Sequence, residues 1–507
     1  MSLVRKELIR AEPATLPGEE AFRFRHALIR DAAYGSLSKG ARSELHEAHA
    51  AWIEQTLGDR AGEAEEILGY HLEQAYRYRA ELGPVDGKAL ELADQARRRL
   101  GSAGRLAFRR GDTRAAINLL ERARSLPSTD EGAWLELAPD LGFALFEAGE
   151  FEQAEAVLSD AIPRAAAIGE RHTERHAWLV RGVVRQFSQP GQIDLDGTIR
   201  QAEESLAVLQ EVGDDLALTR AWMLLSALYA CRDAVSQRAA AERAFEHARR
   251  ASSGSDEALS LAVLGFVLLE GPTPANEGVR ICQRLLEEME NDPLAEATVN
   301  ACLASFVAMQ GGLEEGRALL AQSRATMQEL GIGHLRLLVE VSLAWHLEML
   351  ADDLAAAERT TRAAAERAAE IADNWYYVIA SVDLARVVCE RGNAAECLRI
   401  LDESERHPSP PDVEILVKRP AARALALARL GRLEEAEAFA REAVDHAEGT
   451  EFLGFHAAAL LVLAEVLRLA GRPTEAATAL EEARSLYERK GNVVSAAKAR
   501  AMLEELR

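Results

Sequence analysis

The run Ala424-Leu-Ala-Leu-Ala-Arg-Leu-Gly431-Arg-Leu-Glu-Glu-Ala436-Glu-Ala-Phe-Ala440-Arg-Glu-Ala443 sets small and apolar residues at fixed offsets around a glycine, with charged residues between them. That spacing predicts two helices in close antiparallel contact, joined by a turn that glycine makes without strain. The same break recurs along the chain. Gly111, Gly149, Gly191, the neighbourhood of Ala234, Gly271, Gly311, Ala351, Gly392, Gly431 and Gly471 lie 37 to 43 residues apart. Seven residues before the clear turns stand Gly142, Ala304, Ala344, Ala385, Ala424 or Ala464; five after them stand Ala116, Ala154, Gly316, Ala356, Cys397, Ala436 or Ala476. These sites are predicted to face each other across the helix pair, where a larger side chain would cost about 1–3 kcal/mol by overpacking. Few segments alternate as strands do, and Ala, Leu, Glu and Arg are abundant, so the predicted class is all-α. At 507 residues the chain is too long for one compact core, and a repeat array accounts for that length.

The pattern small-x6-Gly-x4-Ala-x3-Leu-x2-Ala is carried by Gly142, Gly149, Ala154, Leu158 and Ala161, and again by Ala464, Gly471, Ala476, Leu480 and Ala483. It resembles the tetratricopeptide repeat (TPR). These repeats run longer than the family's usual ~34 residues, and most of its typical first-helix Trp and Tyr are missing. Insertions follow the turns at Gly191–Gly197 and Gly271–Ala275, and His407-Pro-Ser-Pro-Pro411 is a proline-rich connection. The resemblance implies a right-handed superhelix whose first helices line a concave groove. On that implication the groove candidates are Arg105, Phe108, Phe143, Phe146, Trp345, Trp375, Tyr376 and Arg386. The stretch Asp373-Asn-Trp-Tyr-Tyr377 is the densest aromatic group, and buried anchoring at a helix start is its plainer explanation.

Residues 4 to 35 do not follow the repeat. Glu7–Pro13 and Ala21–His26 read as short strands joined through Leu16-Pro-Gly-Glu-Glu20, and His26–Leu37 opens a helix. With Phe22, Phe24, Arg25, His26, Leu28, Ile29, Asp31, Ala33, Tyr34 and Leu37, this stretch resembles the end of the winged-helix subdomain of bacterial signal-transduction ATPases of the STAND class. It is closest in kind to those linked to class III nucleotidyl cyclases or AAA-type modules. The segments His71–Tyr76 and Ala103–Ala107 resemble that family's helical linker. The resemblance implies an ATPase module upstream of this chain, and it divides the chain into a winged-helix remnant over 4–57, a helical linker over 58–94, and a solenoid of about ten helix pairs over 95–507, closed by a capping helix from Ala496.

A formal charge of −23 opposes nonspecific attraction to nucleic acids and anionic membranes. Arg97, Arg98, Arg99, Arg105, Arg109 and Arg110 leave a local basic patch open. The five cysteines, at 231, 282, 302, 389 and 397, make no C-x-x-C pair and read as core residues of a reduced, cytoplasmic protein. Gly83-Pro-Val-Asp-Gly87-Lys88 is too short for a phosphate-binding loop and reads as a turn. His172 with His176, and His46 with His49, have helical spacing but no third ligand, so they are expected to be solvent-exposed pairs. No catalytic constellation stands out, and no cofactor or metal is expected.

The leading expectation is a non-catalytic sensor arm of a bacterial ATPase or cyclase-type regulator. Its partner is a protein, a peptide or a small-molecule effector in the concave groove. A freestanding TPR scaffold is the alternative, and an enzyme with an unrecognised site a weaker third. The exposed ends of a solenoid leave self-association open.

Overall fold

The computed structural model describes residues 2–12, 21–289, 292–330, 334–409 and 411–506. The chain divides into two compact units: residues up to Leu106 with Asn118–Leu137, and Ala107–Ile117 with everything from Ala138 onward.

In the first unit, strands Ile9–Glu12 and Ala21–Phe24 pair antiparallel, Ile9 opposite Phe24 and Glu12 opposite Ala21. The predicted turn Leu16–Glu20 lies outside the described residues. Helix Ala27–Gly35 follows and buries none of its residues. Helices Lys39–Leu57 and Glu65–Ala80 then pack together, Ser43 Oγ donating to the Ala75 carbonyl at 2.8 Å. Two members of the arginine cluster are tied into the first unit. Arg97 is buried and donates to the Ala133 carbonyl at 2.8 Å, while Arg99 binds Glu65 at 2.7 Å and Glu54 as well. His46 corrects the expectation of exposure. It is buried, with Nδ1 2.8 Å from His71 Nδ1 and Nε2 2.8 Å from the Tyr34 hydroxyl.

The second unit is the repeat array. Gly111, Gly149, Gly311, Gly392, Gly431 and Gly471 adopt the left-handed backbone the turns require, with φ between 73° and 97°. Near Ala351 the left-handed residue is Asp352, φ 55°. Gly191 instead sits in the 3-10 turn Pro190–Gln192, and Gly271 is extended, so the two insertions change the turn. The small-residue sites meet as predicted at Gly316, where an added Cβ would lie 2.7 Å from the Ala304 carbonyl oxygen. At Gly142 the facing group is Leu158, not Ala154: a Cβ there would lie 2.7 Å from Leu158 Cγ. Asp214, Asp233, Asp292, Asp353 and Asp373 each accept a first-turn amide of the helix that follows, a contribution of about 1 kcal/mol apiece.

Repeats far apart in sequence also touch. Asn374 Nδ2 donates to the Ser188 carbonyl at 2.7 Å across 186 residues. The Val413 amide donates to the Ala230 carbonyl at 3.3 Å, and the Ala234 amide to the Thr450 carbonyl at 3.0 Å. Both amides open helices, where the N–H has no acceptor within its own helix. Lys490 Nζ donates to the carbonyls of Leu268, Gly271 and Thr273 at 2.6, 2.8 and 2.6 Å. The array therefore coils tightly enough for successive turns to join. First helices such as Gly254–Glu270 and Pro293–Met309 are consequently buried along nearly their whole length. Residues of both helices, Glu270 and Met309, line the interior of the array.

Candidate functional site

Closure brings ionisable side chains into the interior. Arg220 is fully buried, 3.2 Å from Asp140, 3.8 Å from Asp256 and 4.4 Å above the Phe143 ring. Burial, reinforced by the Arg220 charge, pushes His176 down to about 3; the neutral ring accepts from Arg220 Nη1 at 3.0 Å. His176 is thus buried, not exposed as its spacing suggested, while His172 reaches Asp214 at 3.0 Å. No group of three or more His, Cys, Asp or Glu among the described residues is placed to hold a metal ion.

A second cluster centres on His334, 3.2 Å from Asp373 and 4.0 Å from Glu147. Phe146, Phe187 and Tyr376 surround its ring at 4.6, 4.9 and 5.5 Å. Only about 50 Å³ of space remains here. Trp375 donates its indole N–H to Asp412 at 3.1 Å and stacks on Tyr376.

An interior cavity of about 370 Å³ lies where two turns of the array meet. Its lining runs through consecutive repeats from Glu270 to Lys498, and Glu270 and Lys490 come from the two segments that join turn to turn. The π-helical segment Glu340–Ala344 interrupts one wall and offsets Trp345 and His346 from the register of the preceding helix. On the floor, Lys418 Nζ sits 4.7 Å from the Trp345 ring centre and 5.4 Å from that of Phe455. Lys418 is also 3.1 Å from Asp383 and paired with Glu414. Burial opposes its ammonium, but these carboxylates outweigh burial and hold it above the ordinary lysine range.

His346 Nδ1 lies 3.3 Å from Glu270. Burial works against the Glu270 carboxylate, yet His346, Lys418 and Lys490 together keep it below its usual range. A side chain at Gly454 would meet Glu270 Oε2 at 2.1 Å, so only glycine lets that carboxylate lie against the backbone. Burial pushes Lys490 down to about 7, while the three carbonyls it donates to favour the charged form. Asp352 and Lys498 are exposed and mark the mouth.

Of the groove candidates, Trp345 and Arg386 line this cavity, and Phe146 and Tyr376 line the smaller one. Phe143 lies under Arg220 and meets Phe108 edge-on at 5.8 Å. Trp375 is buried against Asp412, and Arg105 donates to the Glu136 carbonyl in the first unit. Sequence reasoning missed the lysines. The chain has six, at 6, 39, 88, 418, 490 and 498, and three of them line one cavity. In a chain that takes nearly all its positive charge from arginine, that rarity was the available signal.

Paired helices, glycine turns and small residues between them make this an all-α, TPR-like helical-repeat solenoid with a small N-terminal hairpin. No family model matches the sequence, and no curated protein does. Among solved structures the chain is similar to a Rap protein complexed with competence and sporulation factor, at 14% identity over 74% of this chain and 100% of that one, TM-score 0.48. It is also similar to a STAND protein with a tetratricopeptide repeat sensor from Pyrococcus horikoshii, at 14% identity over 100% of this chain and 60% of that one, TM-score 0.34. Yeast Tom70 matches at 11% identity over 87% and 96% of the two chains, TM-score 0.34. At these values the likenesses carry no argument about ligand, partner or activity. No helix among the described residues is long and apolar enough to cross a membrane.

Proposed function

We propose that this chain is a non-catalytic regulatory arm that takes a small effector in the cavity between two turns of its repeat array. One observation carries the reading: the cavity walls come from helices far apart in sequence that also make the turn-to-turn contacts. A molecule bound there touches both turns, so it favours one curvature of the array over others in proportion to its differential affinity. Its volume, about 370 Å³, falls in the range of small-molecule sites.

The N-terminal piece supports the regulatory half of the reading. Helix Ala27–Gly35 buries nothing, and Phe22, Phe24 and Leu28 are exposed at 50%, 38% and 70%. Such a surface suits a neighbouring domain, and the winged-helix resemblance names an ATPase module as that neighbour. Effector binding would then change nucleotide hydrolysis in the polypeptide that carries both.

Thermal melting in the presence of metabolite and peptide libraries tests the proposal, using the wild type and Ala458→Trp, which fills the cavity. A metabolite at 100 times its Kd stabilises the wild type by about 2.7 kcal/mol and leaves Ala458→Trp unmoved. Peptide or protein ligands that act equally on both chains would make this a scaffold instead.

A further inference from the structure

Resting on that reading, we infer that the effector is a small organic anion with an apolar body, its charged end held by Arg386, Tyr487 and Lys498. The lining carries four cations, Arg386, Lys418, Lys490 and Lys498, against two carboxylates, Glu270 and Asp352. This stands out in a chain of net charge −23.

Some of these charges are already committed. Lys418 is held between Asp383 and Glu414, Lys490 gives its three donors to backbone carbonyls, and Glu270 is bound by His346. What remains uncommitted is almost all donor. Arg386 gives only Nε, to Glu390 at 3.1 Å, so both its Nη groups lack a partner among the described residues. The Tyr487 hydroxyl, the Trp345 indole N–H and the Lys498 ammonium have no hydrogen-bond partner there either. Burial pushes the Tyr487 phenol up, so it stays a neutral O–H donor. Arg386 and Tyr487 line the same cavity, on helices Asn374–Glu390 and Pro473–Lys490.

A half-buried guanidinium and hydroxyl left without acceptors represent hydrogen bonding that a carboxylate, sulfonate or phosphate supplies. The rest of the wall is apolar. Met309, Met349, Phe455 and Leu461 offer an adaptable surface to the ligand's body. A cationic ligand would find one uncommitted carboxylate, Asp352, and that one only at the mouth.

The probes are 8-anilinonaphthalene-1-sulfonate and its uncharged counterpart N-phenyl-1-naphthylamine, titrated by fluorescence into the whole chain. The wild type is expected to bind the sulfonate at one site at least about tenfold more tightly than the neutral probe. Tyr487→Phe and Lys498→Ala, which break no hydrogen bond in the structure, each weaken sulfonate binding about three- to tenfold and leave the neutral probe unchanged. Arg386→Gln does the same, with its melting temperature recorded because the pair with Glu390 is also lost. Equal binding of both probes overturns the anion assignment and leaves the cavity reading standing. Preference for the sulfonate that survives all three substitutions overturns the choice of residues. Absence of saturable binding by either probe to folded protein overturns both the anion assignment and the effector cavity.

Discussion

Two chambers in the repeat unit are built from side chains that first helices direct into the interior, and they have been put to opposite use. Around His334, rings from Phe146, Phe187 and Tyr376 fill the centre and leave about 50 Å³. Between Glu270 and Tyr487, lysines, methionines and a glycine leave about 370 Å³. The sealed chamber is packed like a core, where lost volume costs stability. The open one keeps its charged and donor groups only partly paired, which costs stability unless something occupies it. Packing and binding thus compete for the same inner surface, and the array divides that surface between them.

The largest effect should come from beside the sealed chamber. Arg220→Met leaves Asp140 and Asp256 buried without their cation, and urea unfolding should show a loss of about 3–5 kcal/mol. A loss below about 1 kcal/mol would mean that this interior is far wetter than its burial implies.

Lys490→Met attacks the seam that closes the open chamber. It strips three carbonyls of a charged donor and should cost about 2–3 kcal/mol. Its mark is loss of protection around Leu268–Thr273 in hydrogen exchange, with the His334 region unchanged; uniform loosening would show that the chambers are not separable.

Glu147 gives a pH signature to the sealed side. Burial raises its carboxyl to about 7, with His334 and Arg220 opposing and Asp256 adding to the shift. A raised acid pKa means that the folded state holds an extra proton between the ordinary value, about 4.3, and about 7. Its effect on stability is therefore most favourable at low pH, declines as pH rises through that window, and levels off above it. Glu147→Gln cannot ionise, so its stability relative to wild type should rise between pH 4.5 and 7.5 by an amount on the order of 2 kcal/mol. A difference flat in pH would show Glu147 ionised throughout.

Tyr487→Phe should have the smallest effect, within about 0.5 kcal/mol, because its hydroxyl makes no hydrogen bond in the structure. A large loss would show the open chamber to be a structural core after all.

Much of this was legible in the sequence, and the limits have physical causes. Glycine turns at 111, 149, 311, 392, 431 and 471 were readable because a left-handed backbone leaves a residue-type signature. Gly316 against Ala304 was readable because close helix contact tolerates only small residues. The coiling of the array was not, since Asn374 on Ser188 or Lys490 on Leu268 are contacts between residues 186 and 222 positions apart that no local spacing encodes. For the same reason His46 and His176 looked like exposed surface pairs: what buries them arrives from other helices. Trp345 and Arg386 were named on a family expectation of a concave groove lined by first helices, and both line the larger cavity.

Everything turns on whether successive turns of the array touch, and the amides of Ala234 and Val413 report this directly. As the first residues of helices they lack an intrahelical acceptor and would ordinarily exchange rapidly with solvent. Here they donate to the carbonyls of Thr450 and Ala230. Residue-resolved hydrogen exchange on the wild type should find both amides protected alongside the interior of the array. Exchange at the rate of other helix-opening amides would mean that the turns stand apart, and the cavity between them would not exist.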